Sequence, residues 1–397
     1  MEMGQRVNGS QQTKVSDALI AQITGAKKYM SLQQTEKMLM TVLELKKGEK
    51  VLFLTDYPKE PETNENKRDR HNLLVRWYEA AERLSKKIGF ELLPLVTYLE
   101  TGTHGAQLPQ TAVAGDKVIE NLTAHIREAD VVIAMTSFSA TAPLQNIAKE
   151  GRIRAMSMPT VDSSMEPAMA VDYDKVNARG EKLLEMVKQA VGFEVEFKGE
   201  GVPAGTKLYV DTRANVWELD GGKCTEPGKL INFPAGELFT PPYEGASILG
   251  QHYLGASQTS GTWAVYSPSD QQVVLLKVEK NRIVEVPGES AKANELRKLI
   301  AEDPNNANIA ELAFGLNEAA RPFEHVSILE KEKAGPHIAY GRNDHFGTPE
   351  SIAGKVMAST HVDEVYTPIT PITVDIHAVY YGGSRILIAE NGKVVAV

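Results

Sequence analysis

His361-Val362-Asp363 is the sharpest pair of potential metal donors in this 397-residue chain. On an extended strand, residues two apart point to the same face, so the imidazole and the carboxylate can converge on one ion. His337, His345 and His361 fall inside 25 residues, beside Glu330, Glu332, Asp344 and Asp363, although the whole chain has only nine histidines. His337 opens the apolar stretch His337–Gly341 just after the turn Ala334-Gly335-Pro336. Two further carboxylates stand alone among apolar neighbours: Glu237 in NFPAGELFTPP and Glu311 in IAELAFG. A lone buried carboxylate costs several kcal/mol unless it is paired or coordinated. Taken singly, the H-x-D pair also suits a surface hydrogen bond, His337 a satisfied structural imidazole, and each glutamate a cap or an edge. One shared metal site accounts for all of them together.

Other chemistries find less support in the residues. There is no G-x-S-x-G elbow, no H-E-x-x-H, no G-x-G-x-x-G and no G-x-x-x-x-G-K-[ST]. Thr101-Gly102-Thr103-His104-Gly105 is glycine-rich, but its spacing is wrong for a phosphate cradle. The single cysteine, Cys224, has no internal disulfide partner and is expected to be structural.

The elements that must position these groups divide into two textures. Up to about residue 195, short apolar strands alternate with helical periodicity: strands at 51–56, 90–97, 130–136 and 152–157, and helices at 15–46 (in two pieces), 72–89, 116–129, 143–150 and 172–191. Alternation of this kind predicts parallel pairing and a three-layer α/β domain over 1–195. The polar run from Pro58 to Arg70 reads as a loop. From 196 to 397 strands dominate, separated by Gly, Pro and Asn turns, with Ala291–Ala301 the clearest helix. This half is predicted to be a β-rich α+β metal-binding catalytic domain.

Composition limits the partners. The formal net charge is −9 with no long basic run, which disfavours nucleic acid. No stretch reaches 18 consecutive apolar residues, and the N-terminus lacks the apolar segment of a signal peptide, so no membrane association and a cytoplasmic location are expected. The remaining partner is a small peptide or small-molecule substrate.

The segments 232–242 (NFPAGELFTPP), 310–317 (AELAFGLN), 328–343 (ILEKEKAGPHIAYGRN) and 361–365 (HVDEV) resemble, in this order, the aminopeptidase T family of metallo-aminopeptidases, and its shorter members most. The resemblance implies a homodimeric hydrolase with metal ligands Glu237, Glu311, Glu332, His337, His361 and Asp363, Glu330 competing with Glu332 for its place. It further implies two divalent ions, zinc, cobalt or manganese, that activate a water against the amino-terminal peptide bond. Asp344 stands where the peptidases carry a tyrosine, and a carboxylate would repel a developing oxyanion. A second branch of the same scaffold, 2,5-dihydroxypyridine 5,6-dioxygenase, is similar in its His and His-x-Asp set. That resemblance implies a single Fe(II) on His337, His361 and Asp363, with Glu237 and Glu311 as supporting or acid/base groups. A metal-bound protein without catalytic activity is the third reading.

Overall fold

The computed structural model describes residues 30–59, 65–245, 247–248, 251–252, 254–322, 328–346 and 351–397. The part of the predicted 15–46 helix before residue 30 lies outside them. Its remainder, Leu32–Leu43, is a helix opened by a capping box between Ser31 and Gln34 and closed by Glu44 in the left-handed conformation.

Five strands, Leu230–Asn232, Arg154–Pro159, Val131–Thr136, Lys50–Tyr57 and Val96–Leu99, run parallel in that spatial order. Antiparallel Ala112–Ala114 and Lys117–Ile119 extend the sheet, and Glu91–Leu92 pairs beside Lys50 and Val51. Alternation along the central strand decides the layers. Val51 and Phe53 pack with Leu39, Leu43, Leu74 and Trp77 of the helices on one face, whereas Leu52 and Leu54 pack with Leu122, Ile126 and Leu144 on the other. The result is the expected three-layer α/β arrangement.

Three local readings are corrected. A helix covers Glu65–Ile88, so the polar run becomes helical seven residues before the predicted start at 72. Its Leu73, Leu74, Trp77, Ala81 and Leu84 are buried at helical spacing, and packing of that stripe carries the polar first turns with it. The predicted helix 116–129 is only Leu122–Ile126, preceded by the strand Lys117–Ile119. Finally, Leu230–Asn232 returns from beyond residue 195 to complete the first sheet. A three-residue strand leaves too little periodicity to be read from sequence.

Among the described residues the second half forms two large antiparallel sheets and a small hairpin of Ser247–Ile248 with Gln251–His252. One has eight strands, ordered Arg282–Glu285, Gln272–Glu279, Ser260–Ser267, Lys207–Asp211, Gly192–Gly199, Ile372–Val379, Arg385–Glu390 and Lys393–Val394. The other has five: Glu218–Asp220, Glu237–Thr240, Ile309–Gly315, Pro336–Gly341 and His361–Val365. The five-stranded sheet turns Leu238, Leu312, Phe314 and Ile338 into the main core, each worth about 1.5–3 kcal/mol of burial. Phe314 meets Phe193 of the larger sheet, and Tyr340 meets Trp263, with centroids 5.7 and 6.1 Å apart. The opposite face of the five-stranded sheet carries the polar residues. Cys224 is buried and its thiol is pushed up to about 12 by that burial, as a structural cysteine should be. Among the described residues, no helix is long and apolar enough to cross a membrane.

Candidate metal centre

Register alone gathers the candidate ligands. Directly opposed residues of antiparallel strands share a face. Glu311 faces Ala339, which faces Asp363. Ala313 faces His337, and Gly341 faces His361. Glu237 faces Gly315, and Asp220 faces Glu237. Alternation then puts Glu237, Glu311, His337, His361 and Asp363 on one face, floored by Gly315, Ala313 and Ala339. The floor residues are small, which leaves room above them for the longer side chains.

A β-bulge makes this possible. The register between Ile309–Gly315 and Pro336–Gly341 shifts between Ile309 and Glu311. In a regular strand these two residues would share a face. The extra residue sends Ile309 into the core opposite Tyr340 and Glu311 to the polar face opposite Ala339.

The donor atoms form two groups that share Glu311: Glu237, Glu311 and His337, then Glu311, His361 and Asp363. His337 Nε2 lies 3.6 Å from Glu311 and 3.7 Å from Glu237, and His361 Nε2 lies 3.1 Å from Glu311 and 3.3 Å from Asp363. Both imidazoles are tethered from behind. Nδ1 of His337 is 3.1 Å from the Gly335 carbonyl, and Nδ1 of His361 is 2.6 Å from that of Arg342. A carbonyl only accepts, so each Nδ1 carries the proton, and a neutral ring turns its Nε2 lone pair toward carboxylate oxygens. Lone pair against carboxylate repels unless a proton or a metal ion lies between. Glu237 Oε2, His337 Nε2 and both Asp363 oxygens are buried without a hydrogen-bond partner among the described residues. The donors of these two groups are of the types that hold a divalent cation, and the orphaned atoms are divided between the groups.

In the protein alone, protons take that part. Burial disfavours a charged His337, but Glu311, Asp363 and Glu237 outweigh it and raise the imidazole to about 9. Burial likewise opposes charge on His361, and Asp363 with Glu311 holds it well above its usual value. Glu311 is lowered in turn, because the two imidazoles overcome its burial.

Glu332, the remaining candidate, is drawn elsewhere. It pairs at 2.6 Å with Lys333, whose ammonium also binds Glu237. Burial, together with the charges of Glu237 and Asp363, pushes Glu332 up to about 8 against the pull of Lys333. Its competitor Glu330 is occupied by Arg321, which donates to both carboxylate oxygens at 2.7–2.8 Å. Asp344 is likewise paired, with Arg342 at 2.5 and 3.0 Å.

Sequence reasoning passed over Lys333 and Asp220. The lysine is fully buried although it stands in the charged run Glu330-Lys331-Glu332-Lys333. The bar to its discovery is tertiary: the turn Glu332–Ala334 lies over Gly315, where a Cβ would come within 2.4 Å of Gly335 N and 2.5 Å of the Lys333 carbonyl. Ring contacts add an aromatic rim. Phe346 lies 5.1 Å from Phe239, 4.1 Å from His345 and 5.8 Å from His361.

Gly341 holds the last strand in place. Its φ is +104°, and a Cβ there would lie 2.2 Å from the Thr360 carbonyl, one residue before His361. Gly341→Ala is expected to destabilise the fold by about 2–4 kcal/mol, adding backbone strain to steric conflict. Unchanged chemical denaturation would show that the strand tolerates the displacement.

No protein of curated function matches the sequence. The structure of 2,5-dihydroxypyridine dioxygenase from Pseudomonas putida KT2440 is similar at 18% identity and a TM-score of 0.61, covering 92% of this chain and 97% of that one. Wild-type AmpT from Thermus thermophilus is similar at 15% identity and a TM-score of 0.56, covering 92% and 98%. At these identities both likenesses show a shared α/β fold. The sequence match is decisive, because the model of the NicX family, 2,5-dihydroxypyridine 5,6-dioxygenase, covers residues 32–363. It overturns the expectation of a hydrolase, an aminopeptidase and a metalloprotease. The likeness to AmpT is one of fold alone. This chain is an enzyme that belongs to the NicX, 2,5-dihydroxypyridine 5,6-dioxygenase, family.

Proposed function

We propose that the protein is a metal-dependent oxidoreductase that opens a dihydroxylated nitrogen-containing aromatic ring with dioxygen. The observation that carries this reading is the family match over residues 32–363. The Nδ1-tethered His337 and His361, aimed with the unpartnered Asp363 at one face, support it. Two histidines and a carboxylate are the donor pattern of non-haem Fe(II) oxygenases, with Glu311 set between the imidazoles.

Bound iron would supply the redox chemistry that joins dioxygen to the ring. The chain's own residues do the rest. The main-chain carbonyls of Gly335 and Arg342 hold the imidazole planes, so donor orientation is set before substrate arrives. Phe239, Phe346 and His345 offer flat partners to a planar ring near His361. Glu237 has one oxygen held by Lys333, and its Oε2 is free to accept a proton from a ring hydroxyl. A dioxygenase places both oxygen atoms in the product, and the ring itself supplies the electrons. No nicotinamide or flavin reductant is needed.

The test is oxygen uptake by protein purified anaerobically and loaded with Fe(II), assayed with 2,5-dihydroxypyridine and related dihydroxypyridines. One dioxygen consumed per ring lost supports the proposal. Absence of uptake across the series by iron-loaded protein overturns it. Glu237→Gln is expected to lower turnover by about 10²–10⁴-fold, the span of a lost proton-transfer group, with iron content unchanged. Loss of the iron together with turnover would make Glu237 a ligand instead.

A further inference from the structure

We propose that Glu244 is a positioning residue for ring binding: together with Asn343 it fixes Phe346 as a wall above the face that carries His361. The inference rests on the proposed ring-opening function and deepens it. Phe239 stands two residues after Glu237 and opposite Ala313, so it shares the donor face. Phe346 approaches that face from the connection between the strands Pro336–Gly341 and His361–Val365, of which residues 342–346 and 351–360 are described. Its ring lies 5.1 Å from Phe239 and 5.8 Å from His361, steeply inclined to the imidazole at 82°. Two aromatic side chains beside His361 are what a planar ring ligand packs against.

Phe346 belongs to no helix or strand, and a carboxylate from elsewhere in the chain fixes its surroundings. Glu244 Oε1 accepts from Asn343 Nδ2 at 2.8 Å and from the main-chain N–H groups of Gly354 and Lys355 at 3.1 Å each. Asn343 is fully buried and passes the constraint on. Its Oδ1 accepts from Val356 N at 2.8 Å, and its main-chain carbonyl accepts from Phe346 N at 3.0 Å. Its Nδ2 also reaches, at 3.4 Å, the carbonyl of Ala310 in the bulge. Gly354, held by the same Glu244 oxygen, packs closely on Phe346: its φ is +72°, and a Cβ there would lie 3.0 Å from the Phe346 carbonyl. Glu244 thus joins the segment that follows the Glu237–Thr240 strand to both described limbs of the connection that carries Phe346.

His361 is held independently of this latch. Its tether, the Arg342 carbonyl, is placed by Arg342 N, which donates to the Thr360 carbonyl at 2.7 Å. Thr360 N donates in turn to Asn306 Oδ1 at 3.2 Å, and Ser359 N to Asp303 Oδ2 at 2.8 Å. Loss of Glu244 should therefore release Phe346 and leave His361 in place. Glu244 Oε2 is buried without a hydrogen-bond partner among the described residues. A glutamine here keeps the accepting oxygen and gives up no bond.

The experiment measures the dissociation constant of 2,5-dihydroxypyridine from Fe(II)-loaded full-length protein by calorimetry without oxygen, alongside iron content and kcat for oxygen uptake. Glu244→Ala is expected to weaken ring binding about 3–10-fold, the factor for one lost aromatic contact, with iron content and kcat unchanged. Glu244→Gln should bind the ring as wild type does. Phe346→Leu should weaken binding by a similar factor, and adding Glu244→Ala to it should cost nothing further, because both changes remove the same contact. If Glu244→Ala does not fold, Glu244→Asp, whose shorter carboxylate falls away from the three N–H groups, takes its place in the cycle. Wild-type ring affinity in the Glu244 variant or in Phe346→Leu, fully additive effects of the two, or loss of iron with Glu244 would overturn this role while leaving the ring-opening function standing. No ring bound by wild type would remove that function and this inference with it.

Discussion

His361→Ala is expected to strip the protein of its metal and to abolish ring-opening turnover. The imidazole faces Glu311 and Asp363 at 3.1 and 3.3 Å and is the donor nearest to both. Loss of an outer partner of a metal ligand typically costs about 10–100-fold in affinity, and loss of the ligand itself should exceed that. The fold should survive, because His361 is partly exposed at the start of its strand and carries no core packing. Metal content after gel filtration and oxygen uptake with added Fe(II) are the two measurements. Wild-type metal content in this variant would take His361 out of the site.

The second large effect is on the pH dependence of metal uptake. His337 titrates near 9 in the metal-free protein and His361 well above its usual value, so both rings are protonated at neutral pH. A metal must displace both protons from Nε2. Below the raised values, affinity should therefore climb about tenfold per histidine, about a hundredfold in all, for each pH unit. The same shift acts oppositely on the metal-free fold. A raised imidazole stabilises the folded state fully below its unfolded value near 6.5, and that contribution disappears as pH rises through about 9. Metal-free protein should accordingly lose thermal stability between pH 6.5 and 9, while the metal-bound form does not. Calorimetric titration in buffers of different ionisation enthalpy counts the released protons. Release of none would mean that the rings are neutral before metal arrives.

How far the sequence reached can be judged residue by residue. His361-x-Asp363 was legible because a strand alternates with period two, and Glu237 and Glu311 because isolated acids among apolar residues demand a partner. Their convergence depended on more than alternation. The bulge at Ala310, which turns Glu311 and Ile309 to opposite faces, has no sequence signature in Ile309-Ala310-Glu311. Lys333 was hidden for a similar reason, since only the close approach of Gly335 to Gly315 buries it. Neither Glu330 nor Glu332 joins the donor groups, because Arg321 holds the first and Lys333 pairs with the second, and spacing reveals neither partner. The reaction class was the least legible part. Histidines and carboxylates on one sheet serve hydrolysis and oxygen chemistry alike, and the motif strings do not reveal which substrate lies above them.

The two tethers behind the imidazoles have a consequence for how this scaffold changes over time. Gly335 and Arg342 hold His337 and His361 through main-chain carbonyls, which every residue type possesses. Replacing a neighbour's side chain therefore leaves the aim of the donors unaltered, provided the strand path is kept. A centre wired through side-chain partners would have to conserve each of them, whereas this one is inherited with the backbone. Sequence can drift around such a centre without a paired side-chain change to keep the imidazoles pointing inward.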